Sequence, residues 1–167
     1  MSLTLSNKNQ ISEILNLVNL AYRGDRGWTR ETDIVAGDRA TKLEIERAID
    51  KPGFHMLVYV KRNQLQSCIC IEQVNEDAYI GLFAVDPAYQ GKGLGKKVLG
   101  LAEEYASLVL GAKKCVMVVV SQRQELIAYY ERRGYVRTGE VKNYPTDLDV
   151  GMPISKGLTI EYLRKSV

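Results

Sequence analysis

Residues 79–111, YIGLFAVDPAYQGKGLGKKVLGLAEEYASLVLG, constrain this chain more than any other stretch. An apolar run from Ile80 to Val85 stops at Asp86-Pro87. Gly91, Gly93 and Gly95 then stand at alternate positions. Val98, Leu99, Ala102, Tyr105, Ala106, Val109 and Leu110 follow on one helical face, up to Gly111. A strand, a glycine-rich turn and a helix N-terminus in this order bind anions. Bare backbone N–H groups converge there, and the helix dipole adds roughly half a positive charge.

The rest of the chain supplies layers for that unit to pack against. Residues 3–5 suit a short first strand. Ile11, Ile14, Leu15, Val18, Ala21 and Tyr22 recur three and four apart, Asn7 with Gln10 makes a capping box ahead of them, and Gly24 ends the helix. Residues 24–40 have no period and read as loop or short helical turns. Thr41 with Glu44 starts a second helix, and Pro52-Gly53 stops it. Residues 54–60 and 65–73 read as a hairpin around a turn at 61–64. A further turn at 75–77 leads into the strand at Tyr79, giving three antiparallel strands in succession. Residues 115–120 are an unbroken apolar run, the pattern of a strand covered on both faces. Strand, helix and strand here imply a right-handed parallel crossover. Residues 123–132 make another helix closed by Gly134. Residues 135–141 and 158–163 are the last strands, separated by a loop holding Pro145 and Pro153. With no internal repeat or linker, residues 1–167 read as one mixed α+β domain.

Charge and cysteine usage narrow the function. A net charge of +3, evenly spread, gives no electrostatic footprint for nucleic acid. Arg132-Arg133 and Arg137 stand beside Glu131 and Glu140 and read as a solvated face. Cys68, Cys70 and Cys115 make neither a disulfide framework nor a metal pair, and read as buried and reduced, in keeping with a cytoplasmic protein. His55 is the lone histidine and anchors no metal. No signal peptide is visible, and no apolar run reaches the roughly 18 residues of a membrane span.

Three phosphate-loop forms compete for the glycines. Gly95 and Gly100 have the first spacing of a P-loop, but Leu101-Ala102 follow where Lys and Ser/Thr are required. Gly91 and Gly93 begin a Rossmann fingerprint, but Lys96 stands where its third glycine belongs. The form that fits is Gln90-Gly91-Lys92-Gly93-Leu94-Gly95, of the type [RQ]-x-x-G-x-[GA]. In this form and context the sequence resembles the GNAT superfamily of acyl-CoA-dependent N-acyltransferases, over most of the chain and most closely over residues 79–136.

The resemblance implies a central twisted, mostly antiparallel sheet of about six to seven strands with a parallel splayed pair, flanked by about four helices. It implies acetyl-CoA as co-substrate and no metal. The pyrophosphate then sits on Gln90 to Gly95, with Lys92 and Lys96 as cations. Phe83, Ala84 and Val85 lend backbone groups to the pantetheine arm, and the Val85 N–H is the candidate donor to the thioester carbonyl. Leu126 joins the same site. Ala128-Tyr129-Tyr130-Glu131-Arg132-Arg133-Gly134-Tyr135 resembles the family's L-Y-E-[KR]-x-G-[FY], which makes Tyr130 the candidate general acid for the leaving thiolate. A phenol with pKa near ~10 is protonated at neutral pH without tuning. Many members carry asparagine seven residues before this tyrosine; here it is Arg123, a candidate for a CoA phosphate. Glu72 and Glu31 are candidates for the base that takes the amine proton.

Trp28-Thr29-Arg30-Glu31 and Gly37-Asp38-Arg39 resemble a pattern found in a subset of the family, in the segment that walls the acceptor pocket. Trp28 either stacks on the acceptor or anchors the loop to the core. Glu31 or Asp33 suits an ammonium, Arg39 a carboxylate, and Tyr144 closes the pocket. The expectation is transfer of an acetyl group to a small, amino-acid-like primary amine by direct attack, since Cys115 in a buried strand is a poor nucleophile. A non-catalytic acyl-CoA-binding or regulatory module, a peptide or protein amine acceptor, a longer acyl chain and a homodimer stay open.

Overall fold

The structure, a computed structural model, describes residues 1–167. In chain order the elements are β1 (Thr4–Leu5), α1 (Ile11–Arg23), β2 (Val35–Ala36), α2 (Lys42–Ile49), β3 (Phe54–Lys61), β4 (Gln64–Val74) and β5 (Asp77–Val85). There follow α3 (Leu94–Leu108), β6 (Lys114–Val120), α4 (Gln124–Glu131), β7 (Val136–Asn143), β8 (Met152–Pro153) and β9 (Thr159–Ser166). Seven strands form one sheet in the order β1-β3-β4-β5-β6-β9-β7. All neighbours are antiparallel except β5 and β6. The mixed α+β architecture expected from the resemblance is therefore present, with four helices. No helix is long and apolar enough to cross a membrane.

Local sequence explains the ends of most elements. Thr41 and Glu44 form a reciprocal capping box at α2. Asn7 and Gln10 form another, although it caps a 3-10 turn at Lys8–Gln10 that runs on into α1. Arg62 and Asn63 turn the β3–β4 hairpin with φ of 51° and 60°, the positive pair of a type I′ turn.

Strand alternation splits the core in two. Ile69 and Ile71 of β4 face α3 and α4 and pack with Leu99, Ala102 and Ile127. Cys68 and Cys70 face the other way, against Ile14, Val18 and Ile45 of α1 and α2. Each fully buried Leu, Ile or Val contributes about 1.5–3 kcal/mol, and the two clusters together hold the sheet between its helical layers.

Two features of β5 create the opening on which the site is built. First, Cys68 pairs with Ala84 while Cys70 pairs with Gly81, so β5 carries one extra residue. Leu82 occupies the bulge with φ of 42°, a left-handed conformation that costs a branched side chain energy. The extra residue inverts the facing of everything after it. Ile80 packs on the α3 side, Leu82 and Ala84 on the α1 side, and Phe83 returns to the α3 side. Second, β5 and β6 pair only from Asp77–Lys114 to Ile80–Met117. Beyond that both strands continue apart and leave a wedge-shaped split through the sheet.

Two expectations for the fold are corrected. Residues 24–40 are not loop throughout, because Val35 and Ala36 pair with Pro153 and Met152. Two-residue strands are too short to show alternation, and their partner lies far along the chain. Nor is β6 covered along both faces: Val118 is 44% exposed because the strand has parted from β5 at that level.

Candidate active site

The split joins two cavities. One, of about 450 Å³, lies beside the N-terminus of α3 and is lined by residues that include Trp28, Phe83, Val85, Gln90, Lys96, Tyr129 and Arg133. The other, of about 690 Å³, opens on the α1 side between β6 and residues 143–150. Tyr22, Phe83, Leu126 and Tyr130 line both. These four side chains mark the place where contents of one cavity can touch contents of the other.

The smaller cavity combines an open helix N-terminus and basic side chains with the apolar side chains of Phe83, Val85 and Leu126. Gly93 is the N-cap of α3 with φ of 80°, which only glycine adopts without strain, and it leaves the first N–H groups of the helix uncovered. At Gly95 the requirement is closeness: a Cβ would lie 3.0 Å from Tyr129 Oη. Gly91, Gly93, Gly95 and Lys96 line the cavity, whereas Lys92 turns away to Ala88 O and Leu94 packs into the core. Arg132 and Arg133 complete its positive edge. The Arg133 guanidinium lies 3.3 Å from the Tyr129 ring centroid, and its Nε is buried without a hydrogen-bond partner. The cluster expected to be a solvated face thus contributes two cavity residues, the exposed Arg132 and the half-buried Arg133, while Arg137 pairs with the buried Glu161 at 2.6 Å.

Both tyrosines of α4 reach this space, in different settings. Tyr129 is half-buried, with its ring 5.2 Å from that of Trp28. Burial raises its pKa, and the neighbouring Arg133 charge opposes the rise. Tyr130 is buried at the split, against Tyr129 and Tyr135. Burial pushes its phenol well above 10.0, and nearby Tyr22 and Tyr129 add to the shift. Tyr22, on the opposite wall, is pushed up to about 12, again chiefly by burial.

The segment after α1 is fastened by side chains that the sequence reading assigned to ligands. Gln90 Nε2 donates to Val85 O and to Thr29 Oγ1, each at 3.0 Å, and its Oε1 accepts from Trp28 N–H at 3.1 Å. The Gln90 side chain therefore stitches this segment to the end of β5, and its backbone borders the cavity. Arg123 is buried and donates to Thr29 O at 3.0 Å, Trp28 O at 3.2 Å and Glu125 at 2.5 Å. Its guanidinium is engaged on the protein side, and the residue does not line the cavity. Glu31 is buried between Arg23 at 2.5 Å and Arg123 at 3.5 Å. Arg23 in turn donates to Gly37 O at 2.9 Å and Val150 O at 2.7 Å. Trp28 ends on the smaller cavity, and Glu31 on the larger one as a clamped ion.

Arg39, Glu72 and Tyr144 border the larger cavity. Glu72 is ion-paired with Lys51. Tyr144 Oη donates to Val150 O at 2.9 Å, bending the loop over the opening. Ala84 is fully buried on the α1 side, where its carbonyl accepts from Ser67 Oγ at 2.8 Å, so it reaches neither cavity. Tyr22, Thr29, Tyr129, Arg132 and Arg133 were not expected in the site. Tyr22 reads from spacing as one more apolar face position, and only the split exposes it.

Sequence comparison with curated proteins finds no match. Solved structures do resemble the chain. The ribosomal-protein-S18-alanine N-acetyltransferase of Escherichia coli superposes with a TM-score of 0.72 at 15% identity, over 99% of this chain and 93% of that one. The spermidine N-acetyltransferase of Vibrio cholerae, solved with CoA and spermine, gives 0.73 at 17% identity, over 99% and 94%. A GNAT-family acetyltransferase of Streptococcus pneumoniae gives 0.67 at 15%, over 99% and 98%. At such identities the likeness speaks for the fold. The sequence itself matches the family model of the acetyltransferase (GNAT) family over residues 12–135, and the chain belongs to that family.

Proposed function

We propose that this acetyltransferase moves the acetyl group of acetyl-CoA to a small primary amine by direct attack, with Tyr130 as general acid. The observation that carries the reading is the split itself: Tyr130 lines both cavities, while Tyr129 lines only one. The smaller cavity fits CoA. It offers the open helix N-terminus, Lys96, Arg132 and Arg133 to phosphate oxygens, and Phe83 and Leu126 to the pantetheine arm.

Acetyl-CoA supplies an acyl group already activated as a thioester. The chain's residues hold it and manage protons. As the C–N bond forms and the C–S bond breaks, the nitrogen must lose one proton and the sulfur gain one. Burial disfavours the Tyr130 phenolate, so the phenol carries its proton at neutral pH and has it available for the departing sulfur. The Val85 backbone N–H is the candidate donor to the thioester oxygen. Glu72, on the wall of the larger cavity, takes the amine proton through water, while Glu31 is held as a counter-ion by two arginines. The test is thiol release from acetyl-CoA over a panel of small primary amines and amino acids. Turnover with peptide N-termini or lysine peptides alone would overturn the small-molecule reading.

A further inference from the structure

Of the two cations on the larger cavity, Lys142 and Arg39, only Arg39 is outside an ion pair. Glu31 is neutralised by Arg23 and Arg123, and Glu72 by Lys51. Lys142 pairs with Glu140 at 2.9 Å. Arg39 belongs to none of the chain's ion pairs. It is half-buried, and its guanidinium carbon sits 5.4 Å from the centroid of Tyr22, one of the four side chains at the split. The residue is held in place from below, since Asn19 Oδ1 accepts from its backbone N–H at 2.8 Å and from that of Ala40 at 3.2 Å. A cation fixed in a pocket wall with no internal partner is a site for an anion.

Much of the remaining wall is apolar: Met117, Val118, Val120, Leu148 and Ile160 border the same space. Asp147, the one acid there outside an ion pair, is exposed at the rim. A polyamine needs several unpaired carboxylates along its length, and this cavity offers none in its interior. The spermine held by the Vibrio cholerae enzyme is therefore a poor guide to the acceptor here.

We propose that the acceptor is a free amino acid with an apolar side chain, its amine at the split, its carboxylate on Arg39 and its side chain against Val118, Val120 and Ile160. This rests on reading the larger cavity as the acceptor site. A short reach suits it, because Arg39 stacks on the ring that forms one side of the split. Decarboxylated amines of the same shape lose the Arg39 contact, and polar amino acids lose the apolar wall.

Calorimetric titration of the CoA-loaded protein tests the proposal without turnover, using N-acetylphenylalanine and N-acetylphenethylamine as probes. The carboxylate compound binds at least about tenfold more tightly, the factor carried by one charge-assisted hydrogen bond. Arg39→Gln removes the difference. Equal affinities, no binding of either compound, or a preference that survives in R39Q would overturn the proposal. A parallel thiol-release assay compares phenylalanine with phenethylamine. Arg39-dependent binding without release of CoA sinks the transfer reading and leaves the carboxylate site standing. Turnover that favours phenethylamine over phenylalanine sinks the carboxylate site and leaves the transfer reading standing.

Discussion

Arg123 Nη1 and Glu31 Oε1 face each other at 3.5 Å in the interior, and their residues tie the start of α4 to the segment that walls both cavities. Arg23 closes the cluster from the end of α1. Two buried guanidinium groups thus converge on one buried carboxylate, and Glu31 is the hub of the cluster.

Glu31→Gln leaves the buried Arg23 guanidinium with no counter-charge and Arg123 with only the exposed Glu125. The expected loss is about 3–5 kcal/mol of folding stability, the usual cost of breaking a buried ion pair from one side. Urea unfolding at neutral pH reads it. Glu72→Gln, whose ion pair is partly exposed, changes the urea midpoint little and lowers kcat by about 10²-fold if Glu72 is the base. Reversed results would exchange the roles of the two carboxylates.

Gly95→Ala puts a methyl group 3.0 Å from Tyr129 Oη on the wall of the smaller cavity, the proposed CoA site. Acetyl-CoA affinity should fall several-fold. The double variant with Tyr129→Phe removes the opposing oxygen and recovers part of it, which a double-mutant cycle measures as coupling. Simple additivity would mean that the close approach has no bearing on binding.

Alkaline pH should destabilise the fold. Tyr22 is pushed up to about 12 from 10.0, and Cys70 and Cys115 to about 12 from 9.0, each chiefly by burial. The unfolded chain gives up these protons first, so their stabilising effect is complete below about pH 9 and fades as pH rises toward 12. Urea midpoints from pH 7 to 11 should decline above 9, and more gently in Tyr22→Phe. The same burial predicts that Cys68 and Cys115, which have no accessible surface, react with a thiol reagent only at the rate of unfolding.

What was legible in the sequence is what neighbouring residues decide. The glycine loop, both capping boxes and the hairpin turn each depend on a few adjacent positions, and each stands where the spacing puts it. Long-range side-chain bonds were not legible. Nothing in the sequence near Gln90 says that it spans from Val85 to Thr29, or near Arg123 that it holds the carbonyls of Trp28 and Thr29. The bulge at Leu82 left no trace because an apolar run looks the same in either facing. Arg133 was read as solvated because its stacking on Tyr129, four residues earlier, depends on which way α4 faces the split.

The central claim is that Tyr130, and not its neighbour, delivers the proton to the leaving sulfur. Parallel measurement of kcat and acetyl-CoA affinity in Tyr130→Phe and Tyr129→Phe, with the best amine from the panel, tests it most directly. Tyr130→Phe should lose about 10²–10⁴-fold in kcat while binding acetyl-CoA within about twofold of the parent, and Tyr129→Phe should keep most of its turnover. A Tyr130→Phe variant with parental kcat, or a Tyr129→Phe variant carrying the larger loss, would contradict the account.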